Sequence, residues 1–229
     1  MVDSPCRILV MASGNGSNFQ ALCDGISDGR IPNATIIRLV VNRSKAYATT
    51  RAESKGIPWE YFNLISHGFQ EKGEKDPQRI HEARGNYDAA LAAKILEHKP
   101  HLVVLAGWMQ IFGERFLDPL TAQGIRIINL HPALPGAYDG ANAIGRAYDD
   151  FQKGTLKDNK TGIMVHNVIK EVDQGEPVLT REIECRPGET LAELEERIHS
   201  HEHELIVQAT AKVVGDILGK GSYDGKSKR

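Results

Sequence analysis

Asn129 and His131 stand two residues apart where an apolar run meets a pair of prolines, in the stretch IINLHPALPG. An amide N–H2 and an imidazole can both stabilise an oxygen that becomes negative during acyl transfer. The imidazole can also exchange a proton near neutral pH. Side chains repeat every second residue along a strand, so an extended run projects both groups to one face. No Ser or Cys adjoins them as a nucleophile. That points to direct transfer between two bound substrates rather than through an acyl-enzyme. Pro132 and Pro135 stiffen the exit. On these residues alone an equal alternative stands, in which Asn129 caps a strand end and His131 satisfies a loop carbonyl.

A second constellation lies near the start. Ser13-Gly14-Asn15-Gly16-Ser17-Asn18 joins an apolar run to a helical pattern. Glycines allow close backbone approach, and free N–H groups at a helix N-terminus bind phosphate or carboxylate. A dinucleotide fingerprint would need Gly where Phe19 stands, and a Walker A loop would need Lys where Ser17 stands. The motif is therefore a generic anion cradle, with a tight turn and a capped helix as the plainer alternative. Further on, Val172-Asp173-Gln174-Gly175 has the composition of a turn. Asp173 gains chemical meaning only if it meets His131, where a carboxylate would orient the ring and stabilise its charged form. His199, His201 and His203 invite a metal reading, but only His199 and His203 share a helical face and no H-E-x-x-H is present, so no metal is expected. Trp108 and Met109, after HLVVLAG, either pack in the core or wall a flat aromatic ligand.

Elements of the right kind surround these groups. Residues 7–12, 34–41, 57–62, 101–106 and 124–129 are strand-length apolar runs. Helical patterns over 17–28, 45–55, 77–98 and 142–153 alternate with them, and 161–167 with 178–184 form a late strand pair. Residues 190–218 read as a closing helix, opened by a Thr190/Glu193 capping box. Alternation of this kind predicts an α/β, Rossmann-like, mostly parallel sheet with helices on both faces and an antiparallel edge. A single domain over residues 1–218 is expected, followed by a polar disordered tail at 219–229, with 66–76 and 154–160 as surface insertions. Lys plus Arg is 28 and Asp plus Glu is 30, so the net charge of −2 gives no field favouring nucleic acid or an anionic membrane. Three scattered cysteines, Cys6, Cys23 and Cys185, suit reduced intracellular thiols. With no signal-peptide pattern and no apolar window near the roughly 20 residues of a membrane span, a cytoplasmic location is expected.

SGNGSN, HLVVLAGWMQIF, IINLHPALPG and HNVIKEVDQGEPVL occur in that order. With them the chain resembles, from about residue 7 to residue 214, the phosphoribosylglycinamide formyltransferases, also called glycinamide ribonucleotide transformylases. The resemblance implies transfer of a formyl group from 10-formyltetrahydrofolate to the amine of glycinamide ribonucleotide, a step of de novo purine (IMP) biosynthesis that needs no metal. It implies Asn129, His131 and Asp173 as the catalytic trio, with His131 as imidazolium and Asp173 raising its proton affinity and holding a water. It implies Gly16, Ser17 and Asn18 as the phosphate loop, and His199 and Glu202 as nucleotide contacts from the last helix. Arg84 is expected beside the folate, Leu105, Met109, Gln110, Ile111 and Phe112 as the wall of its pterin pocket, and Glu171 and Val172 in the loop that recognises the ring. The partners implied are small-molecule substrates, with the protein a monomer or homodimer.

Gln110 stands where bacterial members of the group commonly have Arg, Asn142 replaces a histidine, the loop after His131 is shorter, and 154–160 is longer. These features resemble the fungal, monofunctional form. Among other formyl-folate enzymes, a methionyl-tRNA formyltransferase is expected to carry a second, basic domain, and a formyltetrahydrofolate hydrolase an N-terminal regulatory domain. A nucleotide-binding oxidoreductase would need an acid near Val41-Asn42-Arg43. A non-catalytic phosphate-binding module would not depend on Asn129, His131 or Asp173.

Overall fold

The computed structural model describes the backbone of residues 4–223 and side chains through Gly219. The apolar runs pair in parallel as β1 (Cys6–Ala12), β2 (Ala34–Val41), β3 (Trp59–Tyr61), β4 (Leu102–Leu105) and β5 (Arg126–His131). Helices α1 (Ser17–Ser27), α2 (Ala48–Ser54), α3 (Pro77–Glu97), α4 (Glu114–Ala122) and α5 (Ala143–Gln152) follow those strands in turn. Two antiparallel strands, β6 (Lys160–Asn167) and β7 (Pro177–Glu184), extend the sheet beyond β5, and α6 (Leu191–Tyr223) closes the chain. The strand order is β3-β2-β1-β4-β5-β6-β7. The chain leaves β1 toward one edge and β4 toward the other, so a crevice opens beyond their carboxyl ends.

Strand alternation divides the core in two. Ile8, Val10 and Ala12 face one layer with Phe19, Leu22, Leu194 and Val213, while Leu9 and Met11 face the other with Tyr87, Leu91 and Phe116. Both faces of β4 and of β1 from Ile8 onward are therefore covered, which is why those residues are continuously apolar. On β5, Ile128 and Leu130 enter the first layer. Ile127 enters the second, and Asn129 and His131 share its side of the sheet by the two-residue period.

Three elements differ from the sequence expectation. Helix α4 is additional: Gly113 and Pro119 read as breakers, yet Phe116, Leu117 and Leu120 bury a whole helix face. The Gly113 N–H at its start donates to the Asp88 carboxylate at 2.9 Å, replacing a missing side-chain cap. Strand β5 continues past 129, because Asn129 and His131 pair with His166 and Met164 of β6. Helix α6 runs on to Tyr223, into the segment expected to be a disordered tail; residues 224–229 lie outside the described residues. Its start matches: the Thr190 N–H donates to Glu193 Oε2 at 2.8 Å and the Glu193 N–H to Thr190 Oγ1 at 3.3 Å. Among the described residues no helix is long and apolar enough to cross a membrane.

Candidate active site

A cavity of about 730 Å³ fills the crevice beyond β1, β4 and β5. Its size suits a small-molecule site. It gathers Gly16, Ser17, Asn18, Leu105, Met109, Gln110, Ile111, Phe112, Asn129, His131, Val172, Asp173, His199 and Glu202. Two expected residues stand outside this lining: Arg84, and Glu171, which is exposed.

The cradle forms because Gly16 takes a left-handed conformation, φ 76°, as the N-cap of α1. A Cβ there would lie 2.6 Å from the Cβ of Ala48 and 2.8 Å from its Cα, so only glycine fits. No side chain caps the helix. The first-turn N–H groups of Ser17 and Asn18 thus open toward the cavity, the arrangement that binds an anion. Arg51 braces the loop from α2, donating to the Asn15 carbonyl at 3.0 Å and to Asn15 Oδ1 at 2.9 Å. Asn18 Nδ2 donates to Glu202 Oε2 at 3.3 Å. Burial pushes the Glu202 carboxyl above its usual range, although nearby His199 and the Asn18 bond oppose it.

On the far side, Asp173 is the hub of a buried polar cluster. It adopts φ 56°, in the left-handed region, within a turn that Gly175 permits: a Cβ at 175 would overlap the Asn167 carbonyl. Asp173 Oδ2 accepts the Gly140 N–H at 2.8 Å and lies 3.3 Å from His131 Nδ1. Asp173 Oδ1 accepts from Asn129 Nδ2 at 3.3 Å and lies 3.4 Å from His166 Nε2. Burial would raise the Asp173 carboxyl, but the His166 and Gly140 hydrogen bonds and the two imidazoles outweigh it and hold it below the usual carboxylate range. Asp173 is therefore the cluster's fixed negative charge.

His131 is caught between two acceptors. Its Nε2 meets the Tyr138 carbonyl at 3.2 Å while its Nδ1 faces Asp173. A neutral ring can donate to one of them; only the imidazolium can donate to both. Burial outweighs the pull of Asp173, and the His131 pKa lies below its ordinary value. This shift favours the neutral ring at rest, so the imidazolium that the resemblance implies is a form reached during the reaction. The Asn129 contacts, 3.3 Å to both Asp173 and His166 Nε2, are long for N–H hydrogen bonds. They leave its N–H2 free to reorient toward a stronger acceptor.

The opposite wall is apolar. Met109 is 68% exposed and Ile111 62%, so they form the rim, whereas Phe112 is buried and stacks between Trp108 and Phe116. Gln110 Oε1 is buried without a hydrogen-bond partner. A buried acceptor on an apolar wall fits a flat ring that carries N–H donors. Arg84 ties this wall to α3: it bonds the Ile111 carbonyl and, at 3.2 Å, Asp88 Oδ1. Sequence reasoning did not single out His166, Gly140, Tyr138 or Asp88. His166 sits opposite Asn129 across β5 and β6, and that register has no signature in either strand alone. His201 turns away to Arg181, its Nδ1 3.2 Å from the guanidinium. Among the described residues, no group of three or more His, Cys, Asp or Glu side chains is arranged to hold a metal.

A doubly wound sheet with one cleft beyond its carboxyl edge, carrying an anion cradle at one end and a buried Asn–His–Asp cluster at the other, is the architecture of an α/β group-transfer enzyme. The chain belongs to the formyl transferase family, whose model matches residues 6–210. It is 41% identical over 210 residues to the phosphoribosylglycinamide formyltransferase of Schizosaccharomyces pombe, covering 91% of this chain and 97% of that one. To the enzyme of the same name from Saccharomyces cerevisiae it is 42% identical over 213 residues, with the same coverage of 91% and 97%. The solved structure of glycinamide ribonucleotide transformylase 1 from Geobacillus kaustophilus superimposes with a TM-score of 0.75 at 31% identity, covering 92% of this chain and 100% of that one.

Proposed function

We infer that the protein transfers the formyl group of 10-formyltetrahydrofolate to the amine of glycinamide ribonucleotide, giving the formylglycinamide ribonucleotide of de novo purine (IMP) biosynthesis. The observation that carries this reading is the convergence, in one cavity, of an uncapped helix N-terminus, an apolar wall with an orphan acceptor, and the Asn129–His131–Asp173 cluster between them. The first suits a phosphate, the second a pterin, and the third a carbonyl oxygen that gains charge. The names of the yeast relatives point the same way. Residues 1–218 act as one catalytic domain in the cytoplasm, monomeric or as a homodimer.

The amine nitrogen attacks the formyl carbon, and a C–N bond forms as the carbonyl oxygen becomes an oxyanion. Asn129 reorients its N–H2 toward that oxygen. His131 Nε2–H leaves the Tyr138 carbonyl for the same oxygen. The new negative charge raises the proton affinity of the ring, which takes up at Nδ1 the proton that the attacking amine loses; Asp173 stabilises the imidazolium that results until that proton moves on. Asp173 also holds a water that carries the proton lost by the amine to the folate nitrogen, whose bond to the formyl carbon breaks. Ser17 and Asn18 hold the phosphate, and Glu202 with His199 orients the rest of the nucleotide. Holding both substrates in one cleft supplies proximity, which can be worth about 7–11 kcal/mol of barrier.

The test is a spectrophotometric assay of purified protein with glycinamide ribonucleotide and the formyl-folate, each omitted in turn. Tetrahydrofolate formation should require both. Folate turnover without the nucleotide would instead favour a hydrolase.

A further inference from the structure

Gly16, Ser17 and Asn18 line the cavity as the anion cradle, but Ser13, at the head of the same motif, does not. Its side chain is 1% exposed. Its Oγ accepts the Met109 N–H at 2.9 Å, and its own N–H donates to the Gly107 carbonyl at 3.0 Å. The Ala106 N–H donates to the Met11 carbonyl at 2.9 Å just before them. The β1–β4 ladder thus continues past both strands and ends in a rung made by a side chain. Gly107, at φ 79°, turns the wall loop away immediately after that rung. The two loops that Ser13 ties together begin the cradle and the apolar wall. The far end of the wall is fixed separately, where Asp88 holds the Gly113 N–H and Arg84.

We propose that Ser13 is a positioning residue that couples the two halves of the cleft: through its bond to Met109, it sets where the folate wall stands relative to the nucleotide cradle. This rests on the formyl-transfer reading above. The reacting amine belongs to the substrate held by one loop and the formyl carbon to the substrate lying on the other. A shift of about 1 Å between such partners costs on the order of 10²-fold in rate. Removing the hydroxyl frees the Met109 N–H and lets the wall drift, while the cradle keeps its backbone contacts to α2 through the Ala48 N–H and the Gly14 carbonyl.

Trp108 lies in the wall beside Met109, stacked on Phe112, and the sequence holds only two tryptophans. The other, Trp59, is on β3, with its indole bonded to Glu53. In a Trp59→Phe parent, glycinamide ribonucleotide should change Trp108 emission as it fills the cradle. In Ser13→Ala on that parent the nucleotide should still bind by calorimetry, within about threefold in Kd, while the emission change falls at least about threefold. The formyl-transfer kcat should drop about 10- to 100-fold. Ser13→Cys, close in volume but with a weak sulfur acceptor, should be intermediate in both and guards against a fold lost in the alanine variant. An undiminished Trp108 response in Ser13→Ala and Ser13→Cys, or a parent that binds nucleotide with no Trp108 response, overturns the coupling. A parent that binds no nucleotide overturns the functional reading, and the coupling with it.

Discussion

Asp173→Asn is the substitution that most sharply separates the chemistry of this cleft from its packing. The amide has the same shape and one oxygen, which can still accept the Gly140 N–H that the carboxylate holds at 2.8 Å. It cannot supply a negative charge to His131 Nδ1, 3.3 Å away, and its N–H2 would face the N–H2 of Asn129. With unit charges 3.3 Å apart and an effective dielectric of about 20, the imidazolium–carboxylate attraction is about 5 kcal/mol. The Asp173 side chain is about 10% exposed, so solvent relaxation removes part of that. The charge-assisted bond lost to His131 is worth about 1.5–3 kcal/mol at the lower end. At 1.36 kcal/mol per decade, a loss of about 3–5 kcal/mol lowers kcat by about 10²- to 10⁴-fold. The attraction exists mainly after the oxyanion forms, because the resting ring is neutral, so the loss should fall on kcat with little change in nucleotide KM. Steady-state rates with each substrate varied, beside a calorimetric Kd for the nucleotide, measure this. A kcat within about threefold of the parent in a folded Asp173→Asn protein would refute the assigned role.

Other expected outcomes follow from the same geometry. Nuclear magnetic resonance of the histidine rings should place His131 below its ordinary pKa, because burial disfavours its cation. Asp173→Asn should move that pKa further down, since it deletes the charge that opposes burial; an upward shift contradicts the assignment. By linkage, a base whose pKa is depressed by folding costs stability as pH falls from about 6.5 through the folded value. His131→Gln should therefore flatten the acid side of the melting profile. Ser17→Pro should raise the nucleotide KM with the fold intact: proline is welcome at a helix's first position but removes an anion-facing N–H. An unchanged KM contradicts the cradle. Glu202→Gln should raise Tm by about 2–4 °C near pH 7 for each ~1 kcal/mol regained. Its raised carboxyl pKa means that ionising the group above about pH 4.3 costs folded-state stability. The same variant should weaken nucleotide binding, and a lower Tm would contradict the cost assigned to the buried charge.

How much of this was legible in the sequence depends on how local each cause is. The strands of β1 and β4 were plain because burial on both faces leaves no polar positions in ILVMA (residues 8–12) or LVVL. The capping box at Thr190 and the shared face of Asn129 and His131 were readable because a few adjacent residues determine each. Helix α4 was hidden by Pro119; only packing of Phe116, Leu117 and Leu120, with a cap lent by Asp88 from another helix, overrides that signal. His166 was hidden because strand register is a tertiary fact. The resting charge of His131 could not be read, since it depends on burial and on the Tyr138 carbonyl, seven residues on. Arg84 was read from the family pattern alone, because its contacts to Asp88 and the Ile111 carbonyl are tertiary and leave no local signal.

The central claim is direct passage of a formyl group between two substrates held in one cleft. Single-turnover mass spectrometry with an isotopically labelled formyl group on the folate tests it most directly. The account predicts that the label leaves the folate only when glycinamide ribonucleotide is present, appears on the nucleotide's amine, and is never found on the protein. Label bound covalently to the chain, or released as formate at the same rate with and without the nucleotide, would contradict it.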